Sequence, residues 1–317
     1  MAATLPKSFS VFLAKKDFAD ELSRELALIG IPVIVKSDLL FFVPRDALSY
    51  AKRRPIWVQD FWPDCGVVQF TSIAKAQQQL KGLAKRWVHA SFHCHRRGEL
   101  ICEGLPSIKK KRLESFTPLS DGPFGVFGLI SEKELFYCLN PQAQVPFGYH
   151  EFIEDKKTPP SRAYLKLWEV FTIYHPDFAR EMEGKIIFDL GACPGGWSYV
   201  LSQLGAEVHA FDKAPLEERI AQHPKVHYHQ ESAFGLIPSS VSRPFAIFSD
   251  IICYPDRLFD LVEKWRAAGV QNFVCTIKFQ KETDYETVEK FLAISDSQII
   301  HLYHNKHEAT WIRRSIT

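Results

Sequence analysis

The chain has 317 residues, 46% hydrophobic and 24% charged, which is enough apolar material for two domains or one large one. No apolar run reaches membrane-spanning length, and the segment from Met1 to Phe18 is too weakly apolar for a secretion signal. A cytoplasmic protein with no membrane partner is therefore expected. The net charge is only +2, but it is uneven: residues 1–156 carry about +4 and the remainder about −2.

In chain order, Ser8–Ala14 reads as a strand and Asp17–Leu28 as an amphipathic helix stopped by Gly30. Pro32–Lys36 and Leu39–Val43 read as strands about a Ser37-Asp38 turn, and Ser72 to Lys85 as a helix. Trp87–His93 and Leu100–Glu103 are expected as strands around the polar turn Arg96-Arg97-Gly98, and Gly125–Ile130 with Leu135–Leu139 as a hairpin across Ser131–Glu134. On a strand His93 and His95 would share a face without Cys94, so His93-Cys94-His95 is read as packing and no metal is expected. The cysteines, Cys65, Cys94, Cys102, Cys138, Cys193, Cys253 and Cys275, form no Cys-x-x-Cys pair, which argues against a disulfide framework or a structural zinc site. This mixture describes an α+β region of one or two small modules over residues 1–154. Within residues 72–112, Lys75, Lys81, Lys85, Arg86, Arg96, Arg97, Lys109, Lys110, Lys111 and Arg112 face only Glu99 and Glu103. Such a stretch attracts phosphates, or is simply a solvated basic surface.

Asp155-Lys156-Lys157-Thr158-Pro159-Pro160 is polar and held extended by its prolines, and the domain boundary is placed there. Ser161 then caps a helix from Arg162 to about Tyr174. Over residues 155–317 the pattern becomes regular. Strands are expected at Lys185–Leu190, Glu207–Phe211, Val226–His229, Phe245–Ser249, Asn272–Ile277 and Ile299–His304, with helices at about Pro194–Leu204, Pro255–Ala268 and Asp284–Ser295. That alternation implies an α/β fold with a Rossmann-like, doubly wound, mostly parallel sheet.

The segment Asp189-Leu190-Gly191-Ala192-Cys193-Pro194-Gly195-Gly196-Trp197 is a strand end, a glycine-rich turn and a helix start, with Pro194 expected at the first helical position. A ligand should sit there. A dinucleotide turn would carry Gly where Cys193 stands. The departure fits a cofactor without phosphate, whose ammonium an acid such as Asp189 can meet. Asp212, 21 residues after Gly191, is placed to accept hydrogen bonds from ribose hydroxyls.

Four charged residues stand at or near the same sheet edge. Asp250 closes one strand, Lys278 closes another, Glu308 follows the strand Ile299–His304, and Lys166 lies on the entering helix. Burial of a strand-end lysine favours its neutral form, while a neighbouring aspartate opposes that and holds it in place. Such a group can take a proton from a hydroxyl nucleophile.

The Asp189–Trp197 segment resembles the first motif of the FtsJ-type RNA ribose 2′-O-methyltransferases, and within them the bacterial enzymes that methylate a cytidine ribose of large-subunit ribosomal RNA. Pro160-Ser161-Arg162-Ala163-Tyr164-Leu165-Lys166-Leu167, Phe248-Ser249-Asp250, Ile277-Lys278 and residues 302–310 resemble four further segments of that family, in the same order. The resemblance implies S-adenosylmethionine as cofactor and RNA, ribosomal in kind, as partner. It implies a catalytic set Lys166, Asp250, Lys278 and Glu308, with Lys278 activating the 2′-hydroxyl and the others orienting groups and stabilising charge. It further implies cofactor contacts from Asp189, Gly191, Ala192, Cys193, Pro194, Gly195, Gly196, Trp197, Asp212 and Asp250, and a THUMP-like RNA-binding module before residue 150. Where the family often has an aspartate for the adenine amino group, this chain has Glu231-Ser232, and either residue can take that contact.

Three other readings share parts of the pattern. One is a catalytically silent protein of the same fold that binds cofactor and RNA, which a missing member of the set of four would have signalled. Another is a nicotinamide-dependent oxidoreductase, against which the absent middle glycine counts. The third is a methyltransferase for a small molecule or protein, against which the basic segment and the four charged residues count.

Overall fold

The computed structural model describes residues 5–108, 111–119 and 122–315, so Lys109 and Lys110 of the basic segment lie outside the described residues. The chain divides into two compact units, Met1–Arg112 with Leu119–Glu151, and Leu113–Pro118 with Phe152–Thr317. Residues 113–118 belong with the second unit: Leu113 forms a bridge to Phe152, and Phe116 N donates to Thr172 Oγ1 at 2.9 Å.

The first unit is an α+β fold on one seven-stranded sheet. Its elements are β1 (Ser8–Ala14), α1 (Ala19–Leu28), β2 (Val35–Ser37), β3 (Leu40–Val43), α2 (Ala47–Tyr50), β4 (Val58–Gln69), α3 (Ile73–Leu83), β5 (Trp87–His89), α4 (His95–Glu103), β6 (Gly125–Ser131) and β7 (Glu134–Cys138). The strand order is β2-β3-β1-β4-β7-β6-β5. Phe9, Val11, Phe42, Trp62 and Phe136 pack on one another in one core, and Leu80, Trp87, Ile101 and Phe127 in another.

Two expectations fail here. The strand expected at Leu100–Glu103 is the second half of helix α4, and Arg96-Arg97-Gly98 lie in its first turns. The strand β5 accordingly ends at His89, and His95 opens a helix instead of sharing a strand face with His93. The helical spacing of Gly98, Ile101, Cys102 and Leu105 outweighs the strand preference of a short apolar run. Gly98 lets the helix lie against β5, since a Cβ there would come within 2.0 Å of His89 Nε2. The long central strand β4 has no clean alternation to announce it; it carries Asp60, Pro63, Asp64 and Gly66 and pairs with β1 through register shifts.

The second unit contains α5 (Tyr164–Glu169), α6 (Pro176–Arg180), β8 (Ile186–Leu190), α7 (Gly196–Gln203), β9 (Glu207–Phe211), α8 (Glu218–Ala221), β10 (Val226–His229), β11 (Ala246–Ser249), α9 (Pro255–Ala267), β12 (Asn272–Lys278), α10 (Tyr285–Leu292), β13 (Ser297–Ile300) and β14 (Glu308–Arg313). Its sheet runs β10-β9-β8-β11-β12-β14-β13. The first five are parallel and β14 is antiparallel to both its neighbours. From β8 the chain winds out through β9 and β10, then returns to β11 on the other side. The crevice beyond the carboxyl ends of β8 and β11 is therefore the switch point at which such sheets bind ligands.

Three local expectations are corrected. The helix begun by Ser161 starts at Tyr164 and ends in a wider turn over Val170–Tyr174, while Ser161 Oγ accepts from Ala163 N at 3.4 Å ahead of the helix. Pro194 sits in the turn, behind a cis peptide bond from Cys193, and the first helical residue is Gly196. Glu308 does not trail a strand at residues 299–304; it opens β14, and the preceding strand is the shorter β13.

The continuous apolar strands are buried on both faces by helices, as parallel strands require. Phe248 of β11 is fully buried and its ring meets Phe171, Phe178 and Trp197. Phe248→Ala is expected to cost about 3–5 kcal/mol, read as faster amide exchange through β8, β11 and β12 of the full-length chain. Unchanged exchange in those strands would contradict Phe248 as a packing centre.

Candidate active site

The carboxyl end of β8 turns sharply. Gly191 has φ 81°, and a Cβ there would stand 2.8 Å from the Ile251 backbone, so only glycine fits. The N–H groups of Gly191 and Ala192 both point to Phe211 O at the end of β9, at 2.8 and 3.3 Å. Asp212, the next residue, closes the turn with its carboxylate: Oδ2 accepts from Cys193 N at 3.0 Å and Oδ1 from Ala214 N at 2.9 Å. The residue expected to meet ribose hydroxyls thus also clamps the glycine turn, and a carboxylate has lone pairs for both. Gly195, at φ 112°, caps α7.

The turn is joined to the helix that carries Lys166. A Cβ on Gly196 would be 2.6 Å from Ser161 Oγ, and buried Trp197 donates through Nε1 to Ala163 O at 3.0 Å. Beneath the turn Asp189 is buried; Ser198 Oγ donates to its Oδ2 at 2.7 Å, while Oδ1 has no hydrogen-bond partner among the described residues. Burial pushes the Asp189 carboxyl up to about 7 against the pull of Ser198, and the charges of Asp250 and Asp212 push the same way. A buried carboxylate oxygen without a partner, under a turn that admits no side chains, fits a cofactor carrying an ammonium group. S-adenosylmethionine is such a cofactor. Glu231 and Ser232 follow β10; Glu231 is exposed and Ser232 half-buried at the start of a 3-10 turn.

The four charged residues form one connected set, Lys278 and Lys166 on Asp250 and Glu308 on Lys166. Ser249 Oγ donates to Leu190 O at 2.9 Å, which ties the end of β11 to the end of β8, and Asp250 follows. Lys166 Nζ lies 2.9 Å from Asp250 Oδ1 and 2.7 Å from Glu308 Oε1. Lys278 Nζ lies 3.1 Å from the same Asp250 oxygen and donates to Asp250 O at 2.6 Å. Strand register places Lys278 directly opposite Glu308. Burial disfavours the charge of Lys166, yet the carboxylates of Asp250 and Glu308 outweigh it and hold the ammonium above the usual lysine range. Burial likewise disfavours the Asp250 carboxylate, but Lys166 and Lys278 overcome it and hold that carboxyl below the usual range. Of the two lysine side chains that of Lys278 is the more open, 20% exposed against 9%.

Two positioning residues escaped the sequence reading. Glu169, fully buried on α5 one turn after Lys166, accepts from Tyr303 N at 2.8 Å and His304 N at 3.3 Å. Asn305 donates through Nδ2 to Glu308 O at 3.2 Å. Together they fix the loop that presents Glu308. The signal for Glu169 was available: a second charge three residues from Lys166, inside an otherwise apolar helix, shares its face.

With Lys166 gone, two buried carboxylates would face each other without their shared cation. Lys166→Met is expected to remove about 3–5 kcal/mol of stability near neutral pH. Because Asp250 is held below the usual range, its contribution is present above about pH 4 and is lost as pH falls through the folded value. Thermal unfolding followed against pH should show that acid-side loss in the wild type and a flatter profile in the variant; identical profiles would exclude the coupling.

Residues 159–253 match the family model described as FtsJ-like methyltransferase. A ribosomal RNA large subunit methyltransferase M from Shewanella amazonensis is 31% identical, over 95% of this chain and 96% of that relative. One of the same name from Shewanella halifaxensis is 27% identical, over 74% of this chain and 77% of its own length. A third, from Pseudoalteromonas atlantica, is 32% identical but matched over only 48% of this chain and 47% of its own. Among solved structures, the Methanococcus jannaschii fibrillarin pre-rRNA processing protein superposes on 42% of this chain and 67% of its own at 14% identity and a TM-score of 0.35, a likeness too distant to bear on function. The glycine turn, and β11 with the Asp250 that follows it, fall inside the family match, and the match to the Shewanella amazonensis relative runs through both units: the chain belongs to the ribosomal RNA large subunit methyltransferase M family.

Proposed function

We propose that this protein transfers a methyl group to a ribose 2′-hydroxyl of ribosomal RNA. The observation that carries the reading is the Asp250 carboxylate held between Lys166 and Lys278, with Glu308 on Lys166, at the sheet edge beside the glycine turn. The ribosomal substrate is supported by the relatives' names and by the first unit's charge. Lys75, Lys81, Lys85, Arg96, Lys111 and Arg112 are exposed there, so that unit is proposed to bind the RNA backbone.

S-adenosylmethionine is the cofactor, and when bound it supplies an electrophilic methyl group. Asp189 is proposed to meet its ammonium and Asp212 its ribose, with Gly191, Ala192, Cys193, Pro194, Gly195, Gly196 and Trp197 forming the turn against it and Glu231 or Ser232 meeting its adenine. Lys278 is proposed to accept the hydroxyl proton at Nζ. A neutral amine has two N–H groups and one lone pair. Asp250 O and Asp250 Oδ1 take the two N–H groups, which leaves the lone pair for the substrate. Lys166 stays charged between its carboxylates and keeps Asp250 aimed at Lys278. Methyl transfer is an in-line displacement, so positioning supplies most of the remaining acceleration.

Lys278→Ala should reduce methyl transfer by about 100-fold or more while leaving cofactor binding intact. Mapping 2′-O-methyl sites in ribosomal RNA from cells with and without the protein identifies the target. Wild-type rates in Lys278→Ala, or methyl groups found on bases, would sink the mechanism. Affinity for S-adenosylhomocysteine should rise with pH, by up to about ten-fold per unit below pH 7, as Asp189 ionises under the ligand's ammonium. Asp189→Asn should remove that dependence in calorimetry, and a slope retained in the variant would reassign it.

A further inference from the structure

The loop leaving Asp250 is Ile251-Ile252-Cys253-Tyr254, and it leads into α9 at Pro255. Its side chains alternate. Cys253 and Pro255 are buried and pin the loop to the domain, while Ile252 is 80% and Tyr254 63% exposed. These are the two most exposed large apolar side chains among the described residues. Neither a ring contact nor a hydrogen bond engages the Tyr254 side chain among them, and its backbone carbonyl accepts the first-turn bond from Leu258 N. Three residues lie between Asp250 and Tyr254, so their Cα atoms are within about 14 Å of each other along the backbone. Packing does not require large apolar groups held in solvent at this point; a ligand that arrives there does.

The chemistry around the pair narrows the ligand. Lys281, three residues beyond Lys278, and Lys306, two residues before Glu308, are both exposed on loops of the same sheet edge. An exposed aromatic ring and an aliphatic neighbour with flanking cations suit a polyanion that has flat faces, which is single-stranded nucleic acid. An apolar peptide or an uncharged lipid would leave the lysines without purpose.

We propose that Tyr254, supported by Ile252, is the platform on which a base adjoining the target ribose stacks, so that the loop carrying Asp250 also sets the register of the RNA strand. This rests on the RNA reaction proposed above. Because Cys253 and Pro255 hold the loop, the backbone that carries the ring is already in place before binding.

The test uses the full-length protein and deproteinised large-subunit ribosomal RNA from cells lacking it. Tyr254→Ala is expected to raise KM for this RNA, and to weaken RNA binding measured without cofactor, by about 5- to 100-fold. The kcat, the S-adenosylhomocysteine affinity and the thermal stability should stay unchanged. Tyr254→Trp should restore binding, because it restores a stacking face, and Ile252→Ser should give a smaller loss in the same direction. Unaltered RNA binding in Tyr254→Ala, or a loss that Trp does not rescue, overturns the platform. A wild-type protein that binds this RNA but transfers no methyl group to it refutes the reaction instead. The binding comparison still decides the platform in that case.

Discussion

The second unit is organised around one buried cation. Lys166 Nζ sits between the carboxylates of Asp250 and Glu308, and Asp250 in turn holds Lys278. Each of these charges is costly to bury alone, and with Lys278 in its protonated form the four sum to zero. The arrangement needs a helix, two strand ends and the start of a third strand to converge within hydrogen-bonding distance. Much of the surrounding packing serves that convergence. Trp197 fastens the Lys166 segment to the glycine turn, Ser249 fastens β11 to β8, and Glu169 fastens the loop before Glu308.

The glycine turn shows a second economy of the same kind. Asp212 holds the turn by the Cys193 and Ala214 amides, so the group proposed for the cofactor's ribose is already ordered before any ligand arrives. Asp189 is the opposite case. One of its oxygens is satisfied by Ser198 and the other is left over, a local frustration that a cationic ligand would relieve. Ligand-binding sites are one place where such unmet polar groups occur.

How far the sequence alone reached differed between the two halves for physical reasons. Parallel strands buried on both faces are continuous apolar runs with glycine and proline between them. The strands ending in Leu190, Phe211, Ser249 and Lys278 could therefore be placed, and with them the charges at their ends. Glu308 was picked out but attached to the wrong strand, because β14 is antiparallel and its neighbour β13 is only Ser297–Ile300. In the first half, β4 is interrupted by Asp60, Pro63 and Asp64, whose roles are set by distant partners. Asp60, for example, accepts from Ala143 N at 2.9 Å, 83 residues away. The α4 segment is short and Gly-containing, and its helical face is visible only once α3 and β5 are there to cover it. Glu169 is visible as a second charge on the face of Lys166, but the loop it holds lies far along the chain, and no local pattern announces Asn305, whose partner lies across a turn.

The position of β14 has a consequence for how the site comes into being. It is the last strand in sequence, yet it lies inside the sheet, between β12 and β13. A chain that folds as it is made can pair β8 through β12 early, but the slot beside β12 stays open until β14 arrives. Until then Lys166 has one carboxylate instead of two, and Lys278 has no cross-strand neighbour. Completion of the charged cluster is thereby coupled to insertion of the last strand in sequence. A molecule that has collapsed but not yet threaded its final strand carries the glycine turn without the completed cluster.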